Sequence, residues 1–221
     1  MIVIKSTIVP TTTTNKILPK IKNNKNIQVL VNPEFLRESS AIDDLLKPHL
    51  IVIGENDKKI GQKLVQYYNS FYSKLPEIIR TDFSSAELIK YSNNAFLATK
   101  ISFINSIANI CQNIPNVNVR TIAYAIGKDP RIGSLFLNAG PGFGGSCLPK
   151  DLSALINFSK NLGNTNSLLT EVKTVNQKQP KKIINLMEKM NTVKKNNIIS
   201  ILGLSFKKNT DDIRYSCLLY T

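Results

Sequence analysis

Short β-branched runs alternate with polar, helix-like stretches over the first eighty residues. The runs that predict strands lie at residues 2–8, 28–31, 50–53 and 77–80. Residues 12–22 and 57–72 lie between them and predict helices, the second with its apolar side chains on one face. This alternation is typical of a parallel sheet with right-handed crossovers.

The pattern becomes helical after Asp82. Residues 84–113 predict one long helix, opened by a capping box in which the Ser84 and Glu87 side chains bond each other's backbone amides. The apolar side chains of this helix cover more than one stripe of its surface. We therefore expect the helix to be buried between domains or against a partner. Further helices are predicted at 119–126, 150–162 and 167–190, and Pro180 is expected to break or kink the last one.

The last part of the chain changes character again, because residues 197–204 predict a strand that ends at a Gly turn. The expected fold class is therefore α/β in three parts. The C-terminal part of a Rossmann-like parallel sheet comes first, an all-α region follows, and the first strand of a second α/β domain comes last.

Composition narrows the class of protein. Hydrophobic residues make up 42% of the 221, which excludes a disordered chain, and three Cys are too few for a disulfide scaffold. One His makes a His-rich metal site implausible, and we predict no metal. No stretch approaches the roughly 20 apolar residues of a membrane span, and the first residues lack a signal peptide's regions, so a cytoplasmic location is expected.

The formal net charge of +14 permits two interpretations. A basic protein can bind nucleic acid, an anionic membrane or small phosphate compounds, or it can simply carry a solvated, Lys-biased surface. Lys and Asn recur throughout without an Arg-rich stripe, which favours the solvated surface. We therefore expect neither nucleic acid nor membrane as a partner.

The strongest chemical signal is a glycine-rich segment with a cysteine, GPGFGGSCLPKD at residues 140–151. Its glycines let backbone approach a ligand closely. Pro149 suits the first turn of a helix, so Cys147 is expected just ahead of a helix N-terminus and beside Lys150. Both neighbours favour the thiolate, which makes Cys147 a candidate nucleophile. The alternative is a small buried residue before a helix.

Lys90 and Asn94 form a second candidate pair, on the long helix. They are four residues apart and so share one face, where an ammonium and an amide could stabilise an oxyanion together. The alternative is a solvated pair.

Two loops carry further candidates. Glu34 and Glu38 follow a predicted strand, at the edge where open α/β sheets bind ligands, and are candidate acid–base groups. Lys207 and Arg214 flank two carboxylates in a loop suited to binding phosphate. The alternatives are solvated glutamates and an ordinary charged turn.

Taken together, these segments resemble the UDP-glucose/GDP-mannose dehydrogenase family in order and spacing. The matching segments are KST (5–7), NPEFLRE (32–38), the helix with Lys90 and Asn94, GFGGSCLPKD (142–151) and GLSFKKNTDDIR (203–214). They cover essentially the whole chain. The NPEFLRE and cysteine segments at family spacing are the most specific part of the resemblance.

The resemblance implies oxidation of a sugar C6 alcohol to a carboxylate in two NAD-dependent steps. By resemblance, Cys147 holds the aldehyde as a thiohemiacetal and then a thioester. Lys90 and Asn94 stabilise the oxyanion, Asp151 helps to activate water, and Glu34 assists thioester hydrolysis.

The resemblance also implies which residues contact the ligands. The cofactor-binding residues would be Thr7, Glu38, Lys150 and Arg214. The substrate-binding residues would be Phe35, Leu36, Arg131, Gly144 and Lys207. Of these, Arg131 would reach the nucleotide sugar across a homodimer.

The resemblance divides the chain at 81 and 194. Residues 1–81 would be the remainder of an NAD-binding Rossmann domain, 82–194 a helical dimerisation domain with the cysteine loop, and 195–221 the start of a truncated UDP-sugar-binding domain. We identify no G-x-G-x-x-G dinucleotide fingerprint anywhere in the chain, and Thr11 stands where many members have Gly.

We therefore expect a fragment with impaired activity. The expected substrate is UDP-glucose. A GDP-mannose 6-dehydrogenase and a non-catalytic, dimerising homologue or subunit are the alternatives.

Overall fold

The computed structural model describes residues 1–24, 26–189 and 198–220. The chain forms two compact units, Met1–Asn93 and Asn94–Thr221. Each unit has a hydrophobic core of its own. The long helix of the chain begins in the first unit and ends in the second.

The first unit is built on a four-stranded sheet whose strands lie in chain order. They are β1 (Ile2–Ile4), β2 (Val29–Val31), β3 (Leu50–Gly54) and β4 (Glu77–Thr81). The β1–β2 and β3–β4 pairs are parallel, but β2 and β3 are antiparallel where Val31 pairs with Gly54. The α/β class is confirmed, whereas the wholly parallel sheet that we predicted is wrong at the central pair.

The connection between β2 and β3 spans residues 32–49. It holds a 3-10 turn (Glu38–Ser40) and helix α2 (Ala41–Leu46), neither of which the sequence pattern predicted.

Helices cover both faces of this sheet. A π-helical turn (Thr13–Ile17) continues into α1 (Leu18–Ile21), and α3 spans Lys58–Phe71. One core cluster consists of Leu30, Ile51, Ile53 and Leu64, and the other of Val31, Val52, Phe83 and Ala86. Successive residues of one strand thus belong to different clusters, as expected of a strand buried on both faces.

Helix α4 (Phe83–Cys111) begins differently from our prediction. Asp82 is the capping residue, since its carboxylate accepts hydrogen bonds from the Ser85 N–H (2.9 Å) and Oγ (2.6 Å). Glu87 does not return to Ser84 in a capping box. It is buried and accepts instead from the N–H (2.9 Å) and Oγ1 (2.6 Å) of Thr13, so it ties the π-helical turn to α4.

The second unit is helical over most of its described residues. The C-terminal part of α4 is followed by α5 (Val119–Gly127), α6 (Leu148–Asn161) and α7 (Ser167–Lys189), and by a 3-10 turn at Cys217–Tyr220. The core cluster consists of Ala95, Ala98, Phe143, Leu152, Ile156, Leu169 and Val172. No helix in the described ranges is long and apolar enough to cross a membrane.

One prediction about this unit is wrong and another is wrong in part. Pro180 lies inside α7 and does not break it, while the alternative of a kink stays a prediction; the predicted end at Met190 lies outside the described residues. Residues 198–204 form no strand, while Asn197 also lies outside the described range. A strand is held by a paired neighbour, and the described part of this unit offers none, so Ile198 and Leu202 remain almost fully exposed.

Candidate active site

The NPEFLRE segment begins at the end of β2, anchored by a buried asparagine. Asn32 is only 1% exposed; its Nδ2 donates to the Val52 carbonyl (2.7 Å), and its Oδ1 accepts from Lys5 Nζ (2.8 Å) and from the Tyr68 hydroxyl. Burial raises the pKa of Tyr68 to about 12. Burial also lowers the pKa of Lys5, although the nearby Glu34 carboxylate acts in the opposite direction.

Glu34, Phe35 and Lys90 come together in the first unit. The Lys90 ammonium is buried, 3.6 Å from Glu34 Oε1 and 5.1 Å from the centre of the Phe35 ring. The second Glu34 oxygen accepts from the Leu36 N–H at 2.5 Å. A buried ammonium needs a counter-charge, which Glu34 supplies here. The structure thus joins two candidates that the sequence placed in separate motifs.

The remaining candidates of the first unit lie on loops after neighbouring strands. Thr7 is half-buried in the loop after β1, and Glu38 is exposed at the start of the 3-10 turn. Phe35 also packs edge-on against His49, with ring centres 5.9 Å apart, and Leu36 is 38% exposed. Because β1 and β2 are parallel, their following loops lie at one edge of the sheet.

Cys147 lies immediately before α6 in the second unit. Pro149 occupies the first turn of that helix, as predicted, although the helix begins two residues earlier than we expected. The thiol is exposed, and its sulfur lies 3.7 Å from Ser146 Oγ. The Cys147 carbonyl accepts the Asp151 N–H at 2.9 Å, which places the two side chains one helical turn apart.

Asp151 is a buried carboxylate with two polar contacts. It is 1% exposed; its Oδ2 accepts from Asn94 Nδ2 at 2.7 Å, and its Oδ1 lies 2.8 Å from Lys150 Nζ. Asn94 is itself buried, at 5% exposure. The second unit therefore joins Asn94, Asp151 and Lys150 next to the turn that carries Cys147.

The glycines before Cys147 face the protein's own chain. A Cβ on Gly144 would lie 2.2 Å from the Tyr215 carbonyl oxygen, and one on Gly145 would lie 2.6 Å from the Phe206 ring. The Gly145 N–H also donates to the Arg214 carbonyl at 2.9 Å. The close approach that the sequence predicted is observed, but segment 206–215 makes it rather than a ligand.

The three predicted cations outside this cluster lie on exposed or half-buried segments. Arg131 follows α5, and its 87%-exposed side chain is paired with Asp129 at 2.6 Å. Arg214 is paired in the same way with Asp212 at 2.8 Å. The Lys207 ammonium lies 5.4 Å from the centre of the Phe206 ring.

The comparisons with known proteins agree with this arrangement. Residues 1–72 match the NAD binding domain of the UDP-glucose/GDP-mannose dehydrogenase family, and residues 84–178 match its central domain. The chain belongs to this family of NAD-dependent oxidoreductases. The resemblance drawn from the sequence motifs is thereby confirmed, and NAD is the cofactor that the first match indicates.

Particular relatives make the likeness more specific. The chain is 42% identical to a UDP-glucose 6-dehydrogenase of Rickettsia bellii over 98% of its length, and 47% identical to one of Bacillus subtilis over 86%. It matches 97% of its length to the structure of a UDP-glucose dehydrogenase from Pyrobaculum islandicum, with a TM-score of 0.90 and 37% identity. The chain spans 50%, 42% and 50% of those three proteins.

The first unit's residues fit one end of a dinucleotide. The loops after β1 and β2 bring Thr7 and Glu38 to the sheet edge where such ligands bind. Residues 1–72 contain two glycines, Gly54 and Gly61. A Cβ on either glycine would lie within 2.7 Å of another residue's side chain, so the two form no phosphate loop. The described residues of this unit therefore fit only part of a dinucleotide.

The expectation that no G-x-G-x-x-G spacing occurs anywhere in the chain is wrong. Gly140, Gly142 and Gly145 have the G-x-G-x-x-G spacing of the dinucleotide fingerprint. That fingerprint requires a strand immediately before it, and the described part of the second unit contains none. The spacing at residues 140–145 is therefore not a dinucleotide site.

Proposed function

We propose that this chain carries the catalytic cysteine of a nucleotide-sugar 6-dehydrogenase that converts UDP-glucose to UDP-glucuronate. The observation that supports this most is the exposed Cys147 thiol at the start of α6, one turn from the buried Asp151–Asn94 pair. The relatives named as UDP-glucose 6-dehydrogenases support the choice of substrate.

NAD, when bound, accepts a hydride in each of the two oxidations. The Cys147 sulfur attacks the aldehyde carbon derived from C6, and the new C–S bond gives a thiohemiacetal that keeps the aldehyde on the protein. After the second oxidation the carbon is a thioester. Water then attacks it, the C–S bond breaks, and the carboxylate leaves while the thiol regains its proton.

Four further residues assist these steps in our proposal. Lys90 and Asn94 each supply a donor for the developing oxyanion, an ammonium and an amide respectively. Asp151 accepts a proton from the attacking water, since it is a buried carboxylate one turn from Cys147. Glu34 assists thioester hydrolysis and balances the charge of Lys90.

The ligand contacts also remain proposals. Those assigned to the cofactor are Thr7, Glu38, Lys150 and Arg214, and those assigned to the nucleotide sugar are Phe35, Leu36, Arg131, Gly144 and Lys207. For Gly144 the contact with Tyr215 supports an indirect role, in which the glycine lets segment 206–215 approach the glycine-rich segment before Cys147. The domain limits at 81 and 194 and the cytoplasmic location likewise stay predictions.

A homodimer is the partner we propose, through an exposed apolar face of α4. Phe96, Phe103 and Ile110 are spaced seven residues apart and are 65%, 49% and 55% exposed. That spacing places them on one side of the helix, where a second copy would cover them. We expect a dimer by light scattering at micromolar concentration and a monomer for Phe103→Glu. Phe71→Glu, at a similarly exposed site on α3, should leave the dimer intact.

The function is tested by NADH production, followed at 340 nm with UDP-glucose and NAD. We expect no turnover from the 221 residues alone, because their NAD-binding part lacks the phosphate loop. Turnover at a normal enzyme rate would contradict that expectation. The decisive experiment uses a chimaera, in which residues 84–178 of this chain replace the matching segment of the Bacillus subtilis relative.

This chimaera should oxidise UDP-glucose, and Cys147→Ser should lower its kcat by at least about 1,000-fold, as loss of a covalent nucleophile does. The matched control is Cys111→Ser, a buried cysteine whose loss should leave kcat nearly unchanged. A folded chimaera without turnover would favour the non-catalytic alternative. Preferential oxidation of GDP-mannose would favour the other alternative.

A further inference from the structure

We infer that Asn105 and Asn176 are positioning residues that hold the glycine-rich segment 140–147, the cysteine loop, in front of α6. Neither residue belongs to the motifs that the sequence singled out. The inference depends on the proposed function only for the role of Cys147. The contacts themselves lie entirely within the second unit.

Asn105 fixes the beginning of the cysteine loop from α4. Its side chain is fully buried, and its Oδ1 accepts the Gly140 N–H at 2.8 Å. A buried acceptor of this kind is costly to move, because a shift would leave both groups without a partner. The loop therefore begins at a fixed point on α4.

Asn176 fixes the middle of the loop from α7. Its Oδ1 accepts the Phe143 N–H at 2.7 Å, and its Nδ2 donates to the Phe143 carbonyl at 2.9 Å. One amide thus satisfies both backbone groups of one loop residue, as a neighbouring strand would. The Phe143 ring is buried in the core at the same point.

The glycine at 142 follows from this contact. A Cβ on Gly142 would lie 2.6 Å from Asn176 Oδ1, and the residue has a φ of +121°. Any other residue would displace the amide and strain the backbone. The sequence of the loop is therefore adapted to Asn176.

The position of Cys147 depends on these bonds. Its thiol is exposed, so the anchoring comes from the backbone on either side of it. On one side the Asp151 N–H donates to the Cys147 carbonyl, and on the other side the loop is held by Asn105 and Asn176. Without the amides, the sulfur would spend less time at the N-terminus of α6, whose unpaired N–H groups attract negative charge.

The test measures the alkylation rates of individual cysteines with iodoacetamide at pH 7.5, by peptide mass spectrometry. In Asn176→Ala we expect Cys147 to react about two- to five-fold more slowly. This factor corresponds to the stabilisation of a nearby negative charge by a helix N-terminus. Cys111 is buried and reports global unfolding, so its rate should not change. An unchanged Cys147 rate in a variant with protected Cys111 would overturn the inference.

A matched control lies at the start of the same helix. Asn166 caps α7 by accepting the Leu169 N–H at 3.1 Å. Asn166→Ala should lower stability as cap loss does, yet leave Cys147 alkylation unchanged. An equal slowing in both variants would show a general loss of stability and would also overturn the inference.

Asn176→Asp provides a second variant if the alanine variant does not fold. It keeps the acceptor for the Phe143 N–H but places an oxygen opposite the Phe143 carbonyl. We expect Cys147 to react more slowly than in the parent chain, because the bond to the Phe143 carbonyl is lost, and an unchanged rate would overturn the inference. Alkylation needs neither NAD nor a nucleotide sugar. An inactive chimaera would therefore contradict the proposed function, whereas an unaffected alkylation rate would contradict the positioning role of Asn176.

Discussion

Replacing Thr11 by Gly should stabilise the protein, because Thr11 occupies a backbone conformation that suits glycine. Its φ is +70°, and the Thr12 N–H donates to the Val9 carbonyl at 3.1 Å. These features, with Pro10 at the second position, define a type II turn whose third residue is normally Gly. A β-branched residue at positive φ is strained.

The magnitude follows from two opposing costs. The left-handed conformation costs an ordinary residue about 1–2 kcal/mol. Glycine avoids that cost but loses about 0.5–1 kcal/mol more backbone entropy on folding. Thr11→Gly should therefore raise the free energy of unfolding by about 0.5–1 kcal/mol, because the first cost exceeds the second.

The next residue supplies a matched control. Thr12 has φ −62° and ψ −44°, the ordinary right-handed helical conformation. Thr12→Gly relieves no strain and only adds entropy to the unfolded chain, so it should lower the free energy of unfolding by about 0.5 kcal/mol. The two variants differ by one position but should shift stability in opposite directions.

Urea unfolding followed by far-UV circular dichroism measures both changes. The midpoint should rise for Thr11→Gly and fall for Thr12→Gly, with the m-value unchanged. The corresponding rise in Tm is about 1–4 °C for a chain of this size. A Thr11→Gly midpoint at or below that of the parent would refute the argument that Thr11 is strained.

Three further predictions concern stability. Gly144→Ala should lower the free energy of unfolding by about 1–3 kcal/mol through the clash with Tyr215, whereas Gly140→Ala, with open space around it, should change it little. The raised pKa of Tyr68 contributes to stability below the pKa of an unfolded tyrosine, about 10, and this contribution is lost as the pH rises to about 12. The free energy of unfolding should therefore fall between these two pH values, and Tyr68→Phe should weaken that fall in alkaline urea titrations. Hydrogen bonds from Ser85 lower the pKa of Asp82, which caps α4, so its contribution is present above about pH 4 and lost on acidification; Asp82→Ala should flatten the acid limb of a stability–pH curve.

Strong periodic patterns could be predicted from the sequence nearly to the residue. The helix predicted at 57–72 is Lys58–Phe71, and the strand predicted at 50–53 is Leu50–Gly54. Here local hydrophobic periodicity coincides with the face that is buried. Residues 198–204 show the opposite case, because their apolar run meets no strand among the described residues of the second unit. Local pattern alone does not provide that partner.

Competition between nearby polar groups also limited the prediction. Ser84 and Glu87 have the spacing of a capping box, yet Asp82 caps the helix and Glu87 bonds to Thr13, 74 residues away along the chain. Both arrangements satisfy the same helix end. The choice depends on a tertiary contact, which a motif of four residues does not contain.

The candidate site also contains features that depend on local sequence and features that depend on tertiary contacts. Cys147, Pro149 and the start of α6 follow one another in the chain, so the position of the thiol at a helix N-terminus could be predicted. Asn105 and Asn176 are distant from the loop in sequence, and an isolated Asn carries no pattern that distinguishes a loop anchor from a solvated residue. The motif identifies the nucleophile but not the side chains that position it.

The glycines at 140–145 show why a letter pattern needs its structural neighbours. In a dinucleotide fingerprint the backbone approaches a pyrophosphate, and a strand before the loop aims it at that ligand. Here a Cβ on Gly142 would meet Asn176, and one on Gly145 would meet the Phe206 ring. The same spacing therefore serves contacts within the protein. A substitution at Gly142 or Gly145 should disturb the cysteine loop before it disturbs any nucleotide contact, which is the opposite of what the fingerprint would predict.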